Sequence, residues 1–192
     1  MTDETAQPAA QQIARRVARF NTFATLGVLG TTQDLIGACL EHMDGADPEV
    51  VAEETLVLVA TATARAAEVG LREEPGAQAV VVEALLDLPF LYRDYLVGGA
   101  VLAQQNPSLA DAGDEVYHRL QRKRDFYTVH LPPNQFPGER LLSDKMELWM
   151  GRVSPPRMPD MPAARLQRLE LVPLLVHHLK LVLAYGRKGG GG

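Results

Sequence analysis

Residues 163–185, AARLQRLELVPLLVHHLKLVLAY, decide the fold. At about 100° per residue, the turn of an α-helix, most of the large aliphatic side chains fall on one broad face and leave a narrow polar wedge. A helix that is apolar around so much of its circumference usually lies at the centre of a helical bundle. The face comprises Leu169, Val172, Leu175, Val176, Leu179, Val182 and Leu183, widened by Leu174 and Leu181, and the wedge comprises Glu170, Pro173, His177 and Lys180.

The N-terminal part of the chain also has helical periodicity. Apolar residues three and four positions apart predict one helix over 8–25 and a second over 31–45. Gly27 and Gly30 lie between them, and we expect these glycines to interrupt the helix.

The clearest helix start in the chain is Asp47-Pro48-Glu49. It provides a capping side chain, a proline at the first helical position and an acid in the first turn. The helix that begins here is expected to end at Gly70.

Two further segments complete the predicted bundle. The apolar stretch 76–105 is long enough to favour helix over strand, with a kink or a break at Pro89. Residues 106–127 predict another helix. The fold class is therefore all-α, a bundle of five to seven helices, with residues 1–128 forming its larger part.

The composition changes over residues 129–162, which contain seven of the 13 prolines. Residues 140–152 predict one short helix there, and the remainder is expected to be extended before the C-terminal helix. We expect the helix within 163–186 to pack on the bundle and the glycine-rich 187–192 to be a flexible tail. The short helix offers Leu141, Leu142, Met146 and Trp149 for burial.

The proline-rich segment offers a candidate interaction surface. Its prolines at 156, 159 and 162 would share one edge of a polyproline II helix, which has three residues per turn. Met158 and Met161 would share a second edge, and Arg157 lies on the third. The segment is either a ligand for a proline-binding partner or a stiff connector whose methionines pack on the bundle, and the connector is favoured.

Composition indicates a folded chain in a reducing compartment. Hydrophobic residues make up 46% and charged residues 22%, values typical of globular proteins. Cys39 is the single cysteine, so no intrachain disulfide can form. The N-terminus lacks the pattern of a signal peptide, and no run of about 20 uninterrupted apolar residues occurs. We therefore expect a cytoplasmic protein.

Charge is distributed unevenly along the chain. Residues 1–118 contain 18 acidic and 6 basic residues, a net charge of −12, whereas residues 119–192 contain 6 acidic and 13 basic residues, a net charge of +7. Either the basic part binds an anionic partner or the two parts attract each other, and the second interpretation is favoured because the basic residues are spread out.

The densest basic group is a candidate interaction site. Arg119 and Arg122 are expected to share the outer face of their helix, and Arg165 and Arg168 open the C-terminal helix. Together they could contact a phosphate backbone, although the acidic net charge and few aromatic residues argue against nucleic acid. The group in full is Arg119, Arg122, Lys123 and Arg124.

Recognisable catalytic and phosphate-binding motifs do not occur in the sequence. None of the three serines lies in a Gly-x-Ser-x-Gly turn, and no Gly-rich phosphate loop is present. Cys39 lies with apolar neighbours and is expected to act as a small hydrophobic residue. We predict no catalytic residue and no cofactor.

Two histidine arrangements fall short of a metal site. Glu115 and His118 are one Glu-x-x-His pair where di-iron bundles need two, and both are expected on the solvent face, with Glu115 paired to Arg119. His177 and His178 point about 100° apart on a helix, so we expect one exposed and one against the core. No metal is predicted.

By elimination, the sequence predicts a non-catalytic protein–protein interaction or assembly module, with a protein partner or a homo-oligomer. One alternative is a nucleic-acid-binding regulator that uses the basic C-terminal half. Another is an enzyme whose site combines distant residues. Membrane binding is disfavoured because the last helix has only a narrow polar wedge. Candidates for the distant enzyme residues are Tyr92, Asp94, His130 and Glu147.

Overall fold

The computed structural model describes residues 6–104, 108–154 and 171–188, and in these residues it contains six α-helices and no strand. The prediction of an all-α bundle of five to seven helices is confirmed. The helices are α1 (Ala6–His42), α2 (Pro48–Gly70), α3 (Pro75–Gln104), α4 (Ser108–His130), α5 (Glu139–Val153) and α6 (Leu171–Lys188).

Helix α1 is a single helix where two were predicted. It continues through Gly27 and Gly30 to His42, so the predicted interruption is wrong. Glycine costs a helix only about 1 kcal/mol relative to alanine, and packing can offset that cost. Phe20, Ala24 and Val28 lie in the core and supply this packing.

Helix α2 begins as predicted and lies at the centre of the bundle. The carboxylate of Asp47 accepts hydrogen bonds from the amides of Glu49 at 2.9 Å and Val50 at 3.4 Å, and the helix ends at Gly70. Every residue from Glu54 to Glu68 is buried. All five other described helices contact α2, so the expectation that the last helix is central is wrong.

Helices α3 and α4 pack against each other and against α2. Helix α3 runs through Pro89 without a break, which excludes the split, one of the two predicted alternatives at this proline. Helix α4 ends at His130, three residues beyond the predicted end at Tyr127. A turn around Asn134, whose φ is +59°, then leads to α5.

Helix α5 buries Leu142, Met146 and Trp149, as predicted, while Leu141 is half-buried at the edge of the core. The extended conformation expected for the rest of the proline-rich segment falls largely on residues 155–162, which lie outside the described residues. The part between α4 and α5 consists of turns and irregular backbone.

Helix α6 packs its apolar face on α1, α2 and α5. Leu175, Leu179 and Val182 are buried on that face, whereas His177 and Lys180 are exposed on the predicted polar wedge. Val172 and Val176 on the same face are also buried, Leu174 and Leu183 are half-buried, and Leu181 is exposed.

Two glycines allow α2 and α6 to approach closely at their C-terminal ends. A Cβ atom on Gly186 would lie 2.9 Å from the carbonyl carbon of Gly70. That distance is shorter than real Cβ contacts, so the two backbones can meet here only because both positions lack side chains.

Candidate interaction surfaces

A buried carboxylate on α2 organises one side of the bundle. Glu54 is 3% exposed and is bound by groups from α4 and α5. Arg152 donates from Nε at 2.7 Å and from Nη2 at 2.8 Å to its two oxygens, and the Tyr127 hydroxyl donates at 2.7 Å. This bidentate geometry compensates the cost of burying the charge.

The neighbouring Glu53 binds two basic residues of α4. Arg119 donates to both of its oxygens, at 2.8 and 2.5 Å, and Lys123 donates at 2.9 Å. Burial alone would raise the pKa of the Glu53 carboxyl, but the hydrogen bonds and charges of Arg119 and Lys123 outweigh it and hold the pKa below its usual value.

These hydrogen bonds place two members of the basic group on α4 against α2 rather than in solvent. Arg119 faces α2, so its predicted place on the outer face with Arg122 is wrong, and its described ion pairs are with Glu49 and Glu53 rather than with Glu115. Lys123 is 5% exposed.

The two remaining members differ in environment. Arg124 lies 3.6 Å from the Asp87 carboxylate and stacks over the Phe90 ring, whereas Arg122 is exposed. The basic C-terminal part thus binds carboxylates of the acidic N-terminal part, as the favoured interpretation of the charge asymmetry expected. The other candidates, Arg157, Met158, Met161, Arg165 and Arg168, lie outside the described residues.

A second buried ion pair, which the sequence did not indicate, fixes the loop between α4 and α5. Arg65 pairs with Glu68 one turn later on α2 and donates from Nε to the Leu131 carbonyl at 2.9 Å. Glu68 accepts from the Asn134 amide at 2.7 Å. The only local indication was a pair of charged residues in a helix segment whose other side chains are small or apolar.

His178 makes a buried polar contact between α2 and α6. Its Nε2 lies 2.9 Å from the Thr63 hydroxyl, which also lies 2.7 Å from the Val59 carbonyl. Because the hydroxyl has one proton and that carbonyl can only accept, the geometry favours donation from Nε2–H to the hydroxyl. Burial, with the adjacent His177, lowers the pKa of His178 to about 4.

Three further candidate residues for chemistry lie on α1 and α4. Cys39 is buried, which raises its thiol pKa to about 11, and Glu115 and His118 are exposed on α4. Within 6–104, 108–154 and 171–188, no three His, Cys, Asp or Glu side chains are grouped to hold a metal ion.

Helix α3 presents large apolar side chains to solvent. Leu91 is 59% exposed and Tyr95 is 77% exposed, and they lie one turn apart on the same face. Tyr92, 45% exposed, lies beside them. We call these three residues the aromatic strip; of them, the sequence predicts only Tyr92, as a candidate residue of an enzyme site.

A cationic groove lies between the first turns of α1 and the end of α6. It has a volume of about 470 Å³, with Arg15, Arg19 and Lys188 among its walls together with Tyr185. Arg16, at its edge, pairs with Glu74 and donates to the Gly186 carbonyl at 3.0 Å. The groove was missed because its cations come from opposite ends of the sequence.

Helix α1 also contains a segment, Ala10–His42, that is long and apolar enough to cross a bilayer by length and composition. No such segment is predicted from the sequence, because no run of about 20 uninterrupted apolar residues occurs. Buried helices of water-soluble proteins meet the same criterion, and one third of the most apolar part of this segment is buried within the bundle. The helix therefore does not by itself establish a membrane span.

Compared with protein-family models, curated proteins and solved structures, the chain matches none. The inferences about function below therefore depend on its own geometry.

Proposed function

We propose that this chain is a non-catalytic interaction module that associates through the aromatic strip, and that its simplest partner is a second copy of itself. The supporting observation is the exposure of Leu91, Tyr92 and Tyr95 on one face of α3. Tyrosine is enriched at protein interfaces and among the residues that contribute most of the binding energy. A two-fold arrangement would bury the same strip on both copies.

The charge arrangement supports a non-catalytic role. The carboxylates of Glu53, which is partly buried, and Glu54, which is buried, are neutralised by Arg119, Lys123 and Arg152. They are therefore structural groups rather than free acids or bases. The single cysteine fits the expected cytoplasmic location, where thiols remain reduced.

The test is the mass in solution of wild type and a strip variant. Sedimentation velocity at micromolar concentration should give a dimer for wild type and a monomer for Leu91→Lys/Tyr95→Lys, with unchanged helicity. Val129→Lys is the matched control because Val129 is 76% exposed on α4, outside the strip. A monomeric wild type, or a variant that stays dimeric, would refute the second copy as partner.

The cationic groove favours a second candidate function, binding of a nucleic acid. Here the contacts would come from Arg15, Arg19 and Lys188 rather than from the basic group on α4, whose Arg119 and Lys123 already bind carboxylates. Such binding weakens steeply as the salt concentration rises, because the protein's basic side chains displace cations from the nucleic acid and this release is less favourable at high salt.

Fluorescence anisotropy with a labelled single-stranded oligonucleotide distinguishes binding in the cationic groove from binding at the basic group on α4. Arg15→Glu/Arg19→Glu should abolish binding, and Arg122→Glu, an exposed arginine on α4, should leave it nearly unchanged. The reverse pattern would assign binding to α4, and no binding by wild type at low salt would exclude this function.

A further inference from the structure

A cavity of about 590 Å³ lies among α1, α2, α3 and α4. Most of its wall area is apolar, although Thr32 and four longer polar or charged side chains also line it, and the lining residues Leu29 and Tyr92 are partly exposed to solvent. Ala52 leaves room on the α2 side because its side chain is a single methyl group. This volume is in the range of sites that enclose drug-sized molecules.

One polar group on the cavity wall lacks a partner. Thr32 lines the cavity and is 6% exposed, and its hydroxyl has no hydrogen-bond partner among the described residues. Helical threonines commonly donate to the carbonyl four residues earlier, as Thr22 and Thr63 do here. A buried hydroxyl without a partner has lost its hydrogen bonds to water without replacement, so a ligand oxygen beside it would be stabilised.

The charged groups at the cavity edge are already paired. Glu53 is bound by Arg119 and Lys123, and Glu49 also pairs with Arg119. Arg93 pairs with Asp94 and donates to the Gly113 carbonyl at 2.9 Å. An ionised ligand would lose its hydration here without gaining a free counter-charge, so the walls favour a neutral molecule.

We propose that this cavity binds a neutral, largely apolar small molecule that carries one oxygen acceptor, with Thr32 donating to that oxygen. The site adjoins the assembly surface proposed above, because Tyr92 belongs to both, whereas Leu91 and Tyr95 are not among the cavity walls.

The direct test is a fluorescence titration of the full chain with Nile red, a neutral dye with a carbonyl oxygen. We expect saturable binding of one dye per chain. Thr32→Val should weaken it about fivefold, the loss of one hydrogen bond. Thr55→Val is the matched control, because Thr55 is another buried threonine with an unpartnered hydroxyl but does not line the cavity.

A cavity-filling variant tests the location independently. Ala52→Leu should abolish dye binding while the melting temperature stays equal or rises, because the added methylenes occupy empty apolar space. Dye binding that is unaffected by both Ala52→Leu and Thr32→Val would overturn the proposal. Loss of binding in Leu91→Lys/Tyr95→Lys, with Ala52→Leu unaffected, would place the dye on the aromatic strip and overturn it too.

The preference for neutral ligands has its own measurement. Displacement of Nile red at neutral pH should need at least about tenfold less 1-dodecanol than dodecanoate, which have the same chain length and differ in charge. Equal or stronger displacement by dodecanoate would overturn the assigned ligand class.

Discussion

The Thr63 hydroxyl and Nε2 of His178 lie 2.9 Å apart in the buried contact between α2 and α6. His178 is neutral in the folded protein at neutral pH, because burial and the adjacent His177 lower its pKa from 6.5 to about 4. The unfolded chain binds a proton there at a higher pH than the folded chain does. The contribution to stability is therefore complete above about pH 6.5 and is lost as the pH falls toward 4.

This predicts a decrease of roughly 3 kcal/mol in the free energy of unfolding across that window. Urea denaturation of wild type and His178→Gln at several pH values isolates the effect, since glutamine can still donate to Thr63 but does not titrate. Parallel pH profiles for the two proteins would contradict it.

A pair of glycine substitutions on α1 should have opposite effects. A Cβ on Gly27 would lie 2.7 Å from Nδ1 of His178, so Gly27→Ala should lower the free energy of unfolding by about 1–3 kcal/mol. Nothing lies within 4 Å of the corresponding atom on Gly30, and Gly30→Ala should raise it by about 0.5–1 kcal/mol. Thermal denaturation of both variants measures the difference, and equal shifts would argue against the tight contact.

Loss of the charge on Glu54 should lower the free energy of unfolding more than loss of the charge on Glu49. Glu54→Gln removes the bidentate partner of Arg152, whose side chain is 30% exposed, so the expected cost is about 1.5–3 kcal/mol, the range for hydrogen bonds to charged groups. Glu49→Gln is the control, because the Glu49 side chain is 69% exposed and its ion pair with Arg119 should contribute less than about 1 kcal/mol. Chemical denaturation should separate the two variants clearly, and similar midpoints would show that the buried pair adds little.

The packing of α6 can be tested on its two sides. Leu175 is 1% exposed, so Leu175→Asp should abolish cooperative folding by placing a charge in the core. His177→Asp puts the same charge on the exposed wedge and should change the melting temperature little. Circular dichroism melts provide the comparison, and unchanged helicity and melting temperature for Leu175→Asp would disprove the placement.

Cys39 should be inert in the folded protein. Burial raises its pKa to about 11, which reduces the thiolate fraction on the order of a hundredfold relative to an ordinary thiol. Maleimide labelling should be slow in buffer and fast in denaturant. Cys39→Ala/Leu40→Cys moves the thiol to a partly exposed neighbour and should label quickly when folded; rapid native labelling of wild type would contradict burial.

The sequence predicted the features that depend on local chemistry. The cap at Asp47 and the apolar face of α6 required only neighbouring residues, and both are found in the fold. The continuity of α1 was missed because Gly27 is accommodated by His178, which lies far away in the sequence.

The features that depend on distant residues could not be derived in this way. Helix α2 is central because its small side chains, mainly alanine and threonine, allow neighbours on every side, whereas large aliphatic residues had suggested α6. The partners of Arg119 were misjudged for a similar reason: Glu53 lies 66 positions earlier, while the nearby Glu115 looked closer. The cationic groove likewise joins α1 to α6.

The carboxylates of α2 are paired by residues that the ribosome adds much later. Glu53 and Glu54 leave the ribosome well before Arg119, Lys123 and Arg152, which follow 66 to 98 residues later. Until those cations emerge, burying this part of α2 would leave two carboxylates uncompensated. The nascent chain is therefore expected to delay closure of its core until α5 has been translated, and a ribosome stalled before residue 152 should hold a chain that proteases still cut readily within α2.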